Sequence, residues 1–307
     1  MPALEHPIVL LGGGLTIRRR TYQLEQPWVD GRLALLYDRQ REVVEDRLYG
    51  RFRTLYRQLL AAACLAVSLL AAACSRGGDG VIPTPSGIVE VLGSMPHPGR
   101  AWTEGLLVSD DTLWESVGGN VGSQVRGLDR ETGAVLWSIP NDDAFFAEGM
   151  VRAFGKTYVL SYTEHTAYVL EPEAEQPFRP FALYEGEGWG LTAVDSHLVN
   201  SNGTSNLYYR DPETFQVVRT VPVVFEGEPV TKLNELEYDG TYFWVHEWQT
   251  SHVYRILEKD PHQVVRYALP EDVCPEGHPN GIAWDEELDL FFVTGQRCES
   301  VWKVRFH

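Results

Sequence analysis

Basic residues are scarce in this chain: 26 Lys and Arg stand against 43 Asp and Glu, a formal charge of −17 over 307 residues. Nucleic-acid recognition draws on a basic footprint, so that class of partner is excluded. The acidic surplus suits an exported protein, or one that attracts cations and amines. Histidines number nine, and only His246 and His252 lie close together, without a regular metal-ligand spacing. Catalytic zinc is therefore not expected. No G-x-S-x-G elbow occurs, which argues against serine-hydrolase chemistry. The "LGGG" at Leu11–Gly14 is too poor a match to a phosphate loop to carry meaning. The apolar run "LLAAACLAVSLLAAAC" (Leu59–Cys74) is short for a membrane-spanning helix, which needs about twenty residues.

That run follows "RFRTLYRQ", with its three arginines. A basic segment, a short apolar segment and small residues before a cysteine describe a secretory signal. With "SRGGDG" after it, the site is similar to a bacterial lipoprotein signal, Cys74 being the lipidated residue, although Ala71 stands where leucine is usual. A short spanning helix and a plainly cleaved signal are the alternatives. Residues 1–58 show no sustained periodicity and are read as a doubtful extension, with translation expected to start downstream of Met1. Residues 75–87 form a Gly/Pro/Ser linker of the kind that makes a tether. Residues 1–74 hold ten Arg and seven acidic residues, so the remainder carries a net charge of about −20. The expected product is a monomeric protein of the bacterial cell envelope, periplasmic or on the outer membrane, touching a membrane only through its lipid.

From residue 88 to 307 the pattern changes to short alternating apolar runs between turn residues, with no amphipathic helix, which indicates an all-β protein. A small element recurs: "EGL" at Glu104, "EGM" at Glu148, "WGL" at Trp189, "NEL" at Asn234 and "NGI" at Asn280, at intervals of 44, 41, 45 and 46 residues. Each is followed by an aromatic-rich second strand ("TLWESVG", "TYVLSY", "HLVNSN", "YFWVHEW", "LFFVTGQ") and then a third. Turns such as "DRETG" and "DPETF" lead to a fourth strand in the first four units. Four strands in about 45 residues make a β-propeller blade, and five units make a five-bladed propeller. The rungs of a parallel β-helix would be much shorter. The fifth unit ends at His307 one strand short, and "GIVEVLGS" (Gly87–Ser94), the N-terminal strand of the mature chain, is expected to close the ring as its outer strand.

In a propeller the first strand of each blade lines the central channel, so equivalent repeat positions converge. Glu104, Glu148, Trp189, Asn234 and Asn280 are expected in one ring at the channel mouth. The ends of the second strands add Tyr162, Asn202, Trp248 and Gln296. Carboxylates, amides and indoles gathered in one funnel make a plausible binding site.

At these residues the chain resembles the plant- and bacterial-type glutaminyl-peptide cyclotransferases. The resemblance covers about residues 88–307 and rests on "GEGWGLT" (Gly186–Thr192), "DPETF" (Asp211–Phe215), "LNELEY" (Leu233–Tyr238), "NGIAWD" (Asn280–Asp285) and "VTG" (Val293–Gly295). It implies a five-bladed propeller without cofactor or catalytic zinc, with a structural calcium near the axis allowed. It implies cyclisation of N-terminal glutamine on peptides or proteins to pyroglutamate, with release of ammonia. Glu148 corresponds to the family's catalytic glutamate, the general acid/base. Trp189 and Trp248 correspond to pocket aromatics, and Asn234 to the pocket asparagine.

Three positions depart from the family pattern. "WTEG" (Trp102–Gly105) stands for "FTQG", putting Trp102 and Glu104 in the pocket. Tyr162 occupies a tryptophan position, and Gln296 replaces a lysine in "GQRCE". Together the changes at Glu104 and Gln296 remove a positive charge and add a negative one. Two nearby carboxylates raise at least one pKa and hold a proton or cation jointly. Arg297 is a candidate to restore the missing donor. Two readings follow: a working cyclotransferase with altered pH dependence or substrate, or a weakened propeller that binds amines or peptide N-termini. Cys274 and Cys298 fall on one face of one blade, and export permits a disulfide between them. "NGT" at Asn202 reads as a hairpin turn rather than a glycosylation site, and "DEELDL" (Asp285–Leu290) as a turn rather than a calcium loop.

Overall fold

A strand buried on both faces must send alternate side chains into two different cores. In Tyr242–Glu247, Phe243 and Val245 enter one apolar cluster while Trp244 enters another. In Leu290–Gln296, Phe291 and Val293 join that second cluster, whereas Leu290 and Phe292 join a third. Two further clusters complete a set in which each is shared by two neighbouring sheets. This is the packing of blades around an axis.

The computed structural model describes residues 15–17, 20–22, 86–119 and 122–307. Leu15–Ile17 and Arg20–Tyr22 pair as a small hairpin within a separate unit, Met1–Val81. The expected signal run, Cys74 and the linker as far as residue 85 lie outside the described residues. Among those described, no helix is long and apolar enough to cross a membrane.

The second unit contains five four-stranded antiparallel sheets, the five blades of a propeller. Their innermost strands are Thr103–Ser109, Ala147–Ala153, Leu191–Val194, Leu233–Tyr238 and His278–Asp285. The outermost strands, such as Val135–Pro140 and Val217–Pro222, are largely exposed. Asp129 and Asp211 stabilise equivalent turns, each accepting backbone N–H bonds from the second and third residues that follow.

The fifth blade is completed by Val89–Pro96, which pairs with Ser300–Phe306. This closing strand lies two residues further along than the sequence suggested, because it continues until His97 turns into the core ahead of Pro98. His97 Nδ1 lies 2.9 Å from the Cys298 carbonyl oxygen, and Nε2 lies 2.8 Å from Glu115 Oε1. Thr103 Oγ1 and Arg126 Nε each donate to the same carboxylate at 2.6 Å. Burial alone would raise the Glu115 pKa, but His97, Arg126 and Thr103 overcome it and hold the group down at about 2. One buried carboxylate thus joins the closing strand to the first blade.

Candidate functional site

Four innermost strands bulge where they reach the channel mouth. In the first blade Thr103 pairs with Val117 and Gly105 with Ser116, so Glu104 is left out of the ladder. The same slip falls between Ala147 and Met150, between Leu233 and Leu236, and between Pro279 and Gly281. Glu148, Asn234 and Asn280 therefore occupy bulges too. A bulge twists the strand and re-aims its side chain, which is how these residues escape the in-sheet alternation. The hydroxyls of Ser116 and Ser201 hold two of the bulges by donating to the Glu148 and Asn234 carbonyl oxygens at 2.6 and 2.7 Å.

The glycine beside several bulges is required by close packing at the axis. A Cβ on Gly149 would meet Trp189 O at 2.3 Å, and one on Gly190 would meet Asn234 O at 2.4 Å. The fourth repeat has Glu235 instead. Its two carboxylate oxygens accept the N–H groups of Leu106 (3.2 Å) and Ile282 (2.9 Å), spanning three blades across the axis. Below it, Glu237 accepts the Trp284 N–H. Burial pushes both carboxyls up, Glu237 to about 7.

Above this layer lies a cavity of about 150 Å³ lined by Trp102, Glu104, Phe146, Glu148, Tyr162, Trp189, Asn234, Trp248 and Gln296. All eight of the catalytic and substrate-binding candidates named from sequence are in that lining. Phe146 was not among them, although it stands two residues before Glu148 and its spacing could have revealed it. Asn280 is not in the wall; it sits behind Glu104 and donates to it at 2.7 Å. Asn202 faces a neighbouring cleft, where its Oδ1 accepts from Thr204 in the hairpin turn.

Gln296 Nε2 donates to both Glu104 oxygens at 2.9 Å. Burial pushes Glu104 up to about 8, against the opposing effect of those amide donors. Among the described residues nothing hydrogen-bonds the Glu148 carboxylate; burial first, then Glu104, Glu187 and Glu164, raise its pKa well above the ordinary range. The Asn234 Oδ1 is buried without a partner. Trp189 and Trp248 meet edge to face, with ring centroids 5.4 Å apart, and Phe146 packs on Tyr162 at 5.7 Å. Glu187, at the rim, accepts from Trp189 Nε1 at 2.9 Å. Among the described residues no Lys, Arg or His lines the cavity. Arg297 is exposed and does not supply the cation expected of it.

Cys274 and Cys298 are joined by a disulfide beside the Gln296 turn. Among the described residues no group of three or more His, Cys, Asp or Glu is arranged to hold a metal. The axial carboxylates Glu235 and Glu237 accept N–H bonds at each oxygen.

A family model described as glutamine cyclotransferase matches residues 59–306. A glutaminyl-peptide cyclotransferase of Arabidopsis thaliana is 32% identical over 226 residues, which is 71% of this chain and 71% of that one. The crystal structure of Myxococcus xanthus glutaminyl cyclase superposes with a TM-score of 0.64 at 27% identity, over 73% of this chain and 98% of that one.

Proposed function

The chain belongs to the glutamine cyclotransferase family, and on that premise we propose that it cyclises the N-terminal glutamine of peptides or proteins to pyroglutamate with release of ammonia. In this reaction the α-amine attacks the side-chain carboxamide carbon, Cδ, a C–N bond forms, and the original C–NH₂ bond breaks. The amine must lose a proton, the leaving group must gain one, and charge develops on the carbonyl oxygen in between.

Glu148 is suited to both proton transfers. Its carboxyl is buried, is not tied down by a hydrogen bond among the described residues, and is raised well above the ordinary carboxylate range by burial and by Glu104, Glu187 and Glu164, which favours its holding a proton. Trp189, Trp248, Tyr162 and Phe146 offer apolar walls to the glutamine methylenes and keep out water, which would otherwise compete by hydrolysis. Asn234 Oδ1 is free to accept an N–H of the substrate. Trp102 caps the rim at 45% exposure, and Gln296 orients Glu104. At about 150 Å³ the cavity admits one side chain rather than a larger ligand.

The observation that carries this reading is the free carboxyl of Glu148 set against an aromatic wall in a one-side-chain cavity. Ammonia release from a glutaminyl dipeptide, followed across pH, tests it. Wild type is expected to turn over, and Glu148→Gln to lose roughly 10²-fold or more in kcat. Peptide binding without ammonia release at any pH overturns the enzymatic reading and leaves an amine-binding propeller. Activity unchanged in Glu148→Gln removes that residue from the chemistry. The proposal includes a location in the cell envelope, supported by the signal-like run before Cys74 and by the disulfide.

A further inference from the structure

Two buried carboxyls share the cavity, Glu104 at 1% and Glu148 at 5% exposure, and among the described residues no cation lines it. The groups that face them from the surrounding blades are acidic as well. Glu187 and Glu164 act on Glu148, and Glu235 on the axis acts together with Glu104. The phenols Tyr162 and Tyr184 face Glu148, and both are raised by burial. Two carboxylates cannot ionise together in such a place without a counter-ion. Burial pushes Glu104 up to about 8 and raises Glu148 in the same direction, so before a ligand binds the cavity favours the protonated carboxyls. The unpartnered Asn234 Oδ1 adds an acceptor on the same wall. A site of acceptors with no resident donor cation is complementary to an ammonium group.

The two carboxyls differ. Glu104 is held by N–H donors from Gln296 and Asn280, which favour its anion, whereas Glu148 has no such support. We infer that Glu104 is a second proton carrier: the substrate N-terminus enters as an ammonium ion, displaces the Glu104 proton to solvent, and then passes its own proton to the Glu104 carboxylate. This rests on the proposed cyclisation. The free amine so produced attacks the carboxamide carbon, Cδ. Glu148 gives its proton to the departing NH₂ and recovers one from the new ring nitrogen. Glu104 hands its proton to the ammonia, which leaves as ammonium, and Glu104 then takes up a proton from solvent. One cation enters, one leaves, and both carboxyls end as they began.

The test separates this step from turnover. Norvalyl-glycine carries the ammonium but no γ-carboxamide, so it binds without reacting. Near pH 6 its amine is almost wholly protonated, because an α-amine has a pKa of about 7.7–8.0. Calorimetric titration in two buffers of different ionisation enthalpy counts the protons released. Wild type and Glu148→Gln are expected to release about one proton per ligand, and Glu104→Gln none. Gln296→Lys keeps Glu104 but supplies a cation in advance, so its release is also lost. With glutaminyl dipeptide, kcat/KM of Glu104→Gln is expected to fall ~10²-fold below about pH 7 and to approach wild type above about pH 8, where the substrate amine is already free. Failure of the ligand to bind, absence of proton release in wild type, release persisting in Glu104→Gln, or a deficit equal at every pH overturns the inference. The cyclisation itself falls only if wild type yields no ammonia.

Discussion

Replacing Glu115 by glutamine keeps the shape of the side chain and removes the charge that holds the ring closure together. Its carboxylate accepts from Arg126, Thr103 and His97 at 2.6, 2.6 and 2.8 Å. In the variant Arg126, 7% exposed, keeps its charge in the interior without a counter-ion. Breaking one partner of a buried pair costs about 3–5 kcal/mol. Linkage gives a similar size: a carboxyl at about 2 in the fold, against an ordinary 4.5, contributes on the order of 3 kcal/mol. Because the folded pKa is the lower one, that contribution is complete above about pH 4.5 and is lost as pH falls toward 2. Urea unfolding of wild type and Glu115→Gln at a series of pH values measures it. At pH 7 the variant is expected to be less stable by about 3 kcal/mol, or ~6–12 °C in Tm for a domain of this size. The gap should narrow between about pH 4.5 and pH 2. A variant within about 1 kcal/mol of wild type at pH 7, or a gap unchanged by acid, would refute the reasoning.

Gly149→Ala places a methyl group 2.3 Å from the Trp189 carbonyl oxygen and 2.5 Å from Leu191 N, both backbone atoms with little freedom to move. It is expected to destabilise the domain by about 3 kcal/mol in urea unfolding, and unchanged stability would contradict the close approach of the second and third blades. Full-length protein expressed in a bacterial host is expected in the membrane fraction, acylated at Cys74 and with Cys274 and Cys298 oxidised. Mass spectrometry of the N-terminal and cysteine peptides checks this, and a soluble product with free thiols contradicts it.

The five-fold repeat was legible because one short element, an acid, amide or indole followed in four of the five blades by glycine, recurs at the same place. Its physical source is the bulge that aims Glu104, Glu148 and Asn234 into the cavity and the narrow axis that requires Gly149 and Gly190. The alternating aromatics of "YFWVHEW" likewise follow from a strand buried between two neighbours. The His97–Glu115–Arg126 cluster was not legible. Its members are the residue just after the closing strand and one from each of two strands of the first blade, and no local pattern records that they meet. Glu235 looked like another polar residue in "LNELEY", because its partners Leu106 and Ile282 contribute only backbone. Asn202 and Asn280 fell outside the wall since sequence spacing fixes the level of a residue in a blade but not the direction of its side chain.

The crossing of Glu235 between blades also sets the traffic of the reaction. Glycines pressed against neighbouring backbone and a carboxyl bridging Leu106 and Ile282 crowd the axis beneath the cavity. In the proposed reaction a glutaminyl chain would enter and leave on the side of the cavity that the exposed Trp102 rims, and ammonia would share that route. The small product is corked by the large one until the polypeptide shifts. Departure of the chain, rather than bond making, then becomes a natural place for the slow step, and substrates with bulky residues after the glutamine would leave most slowly.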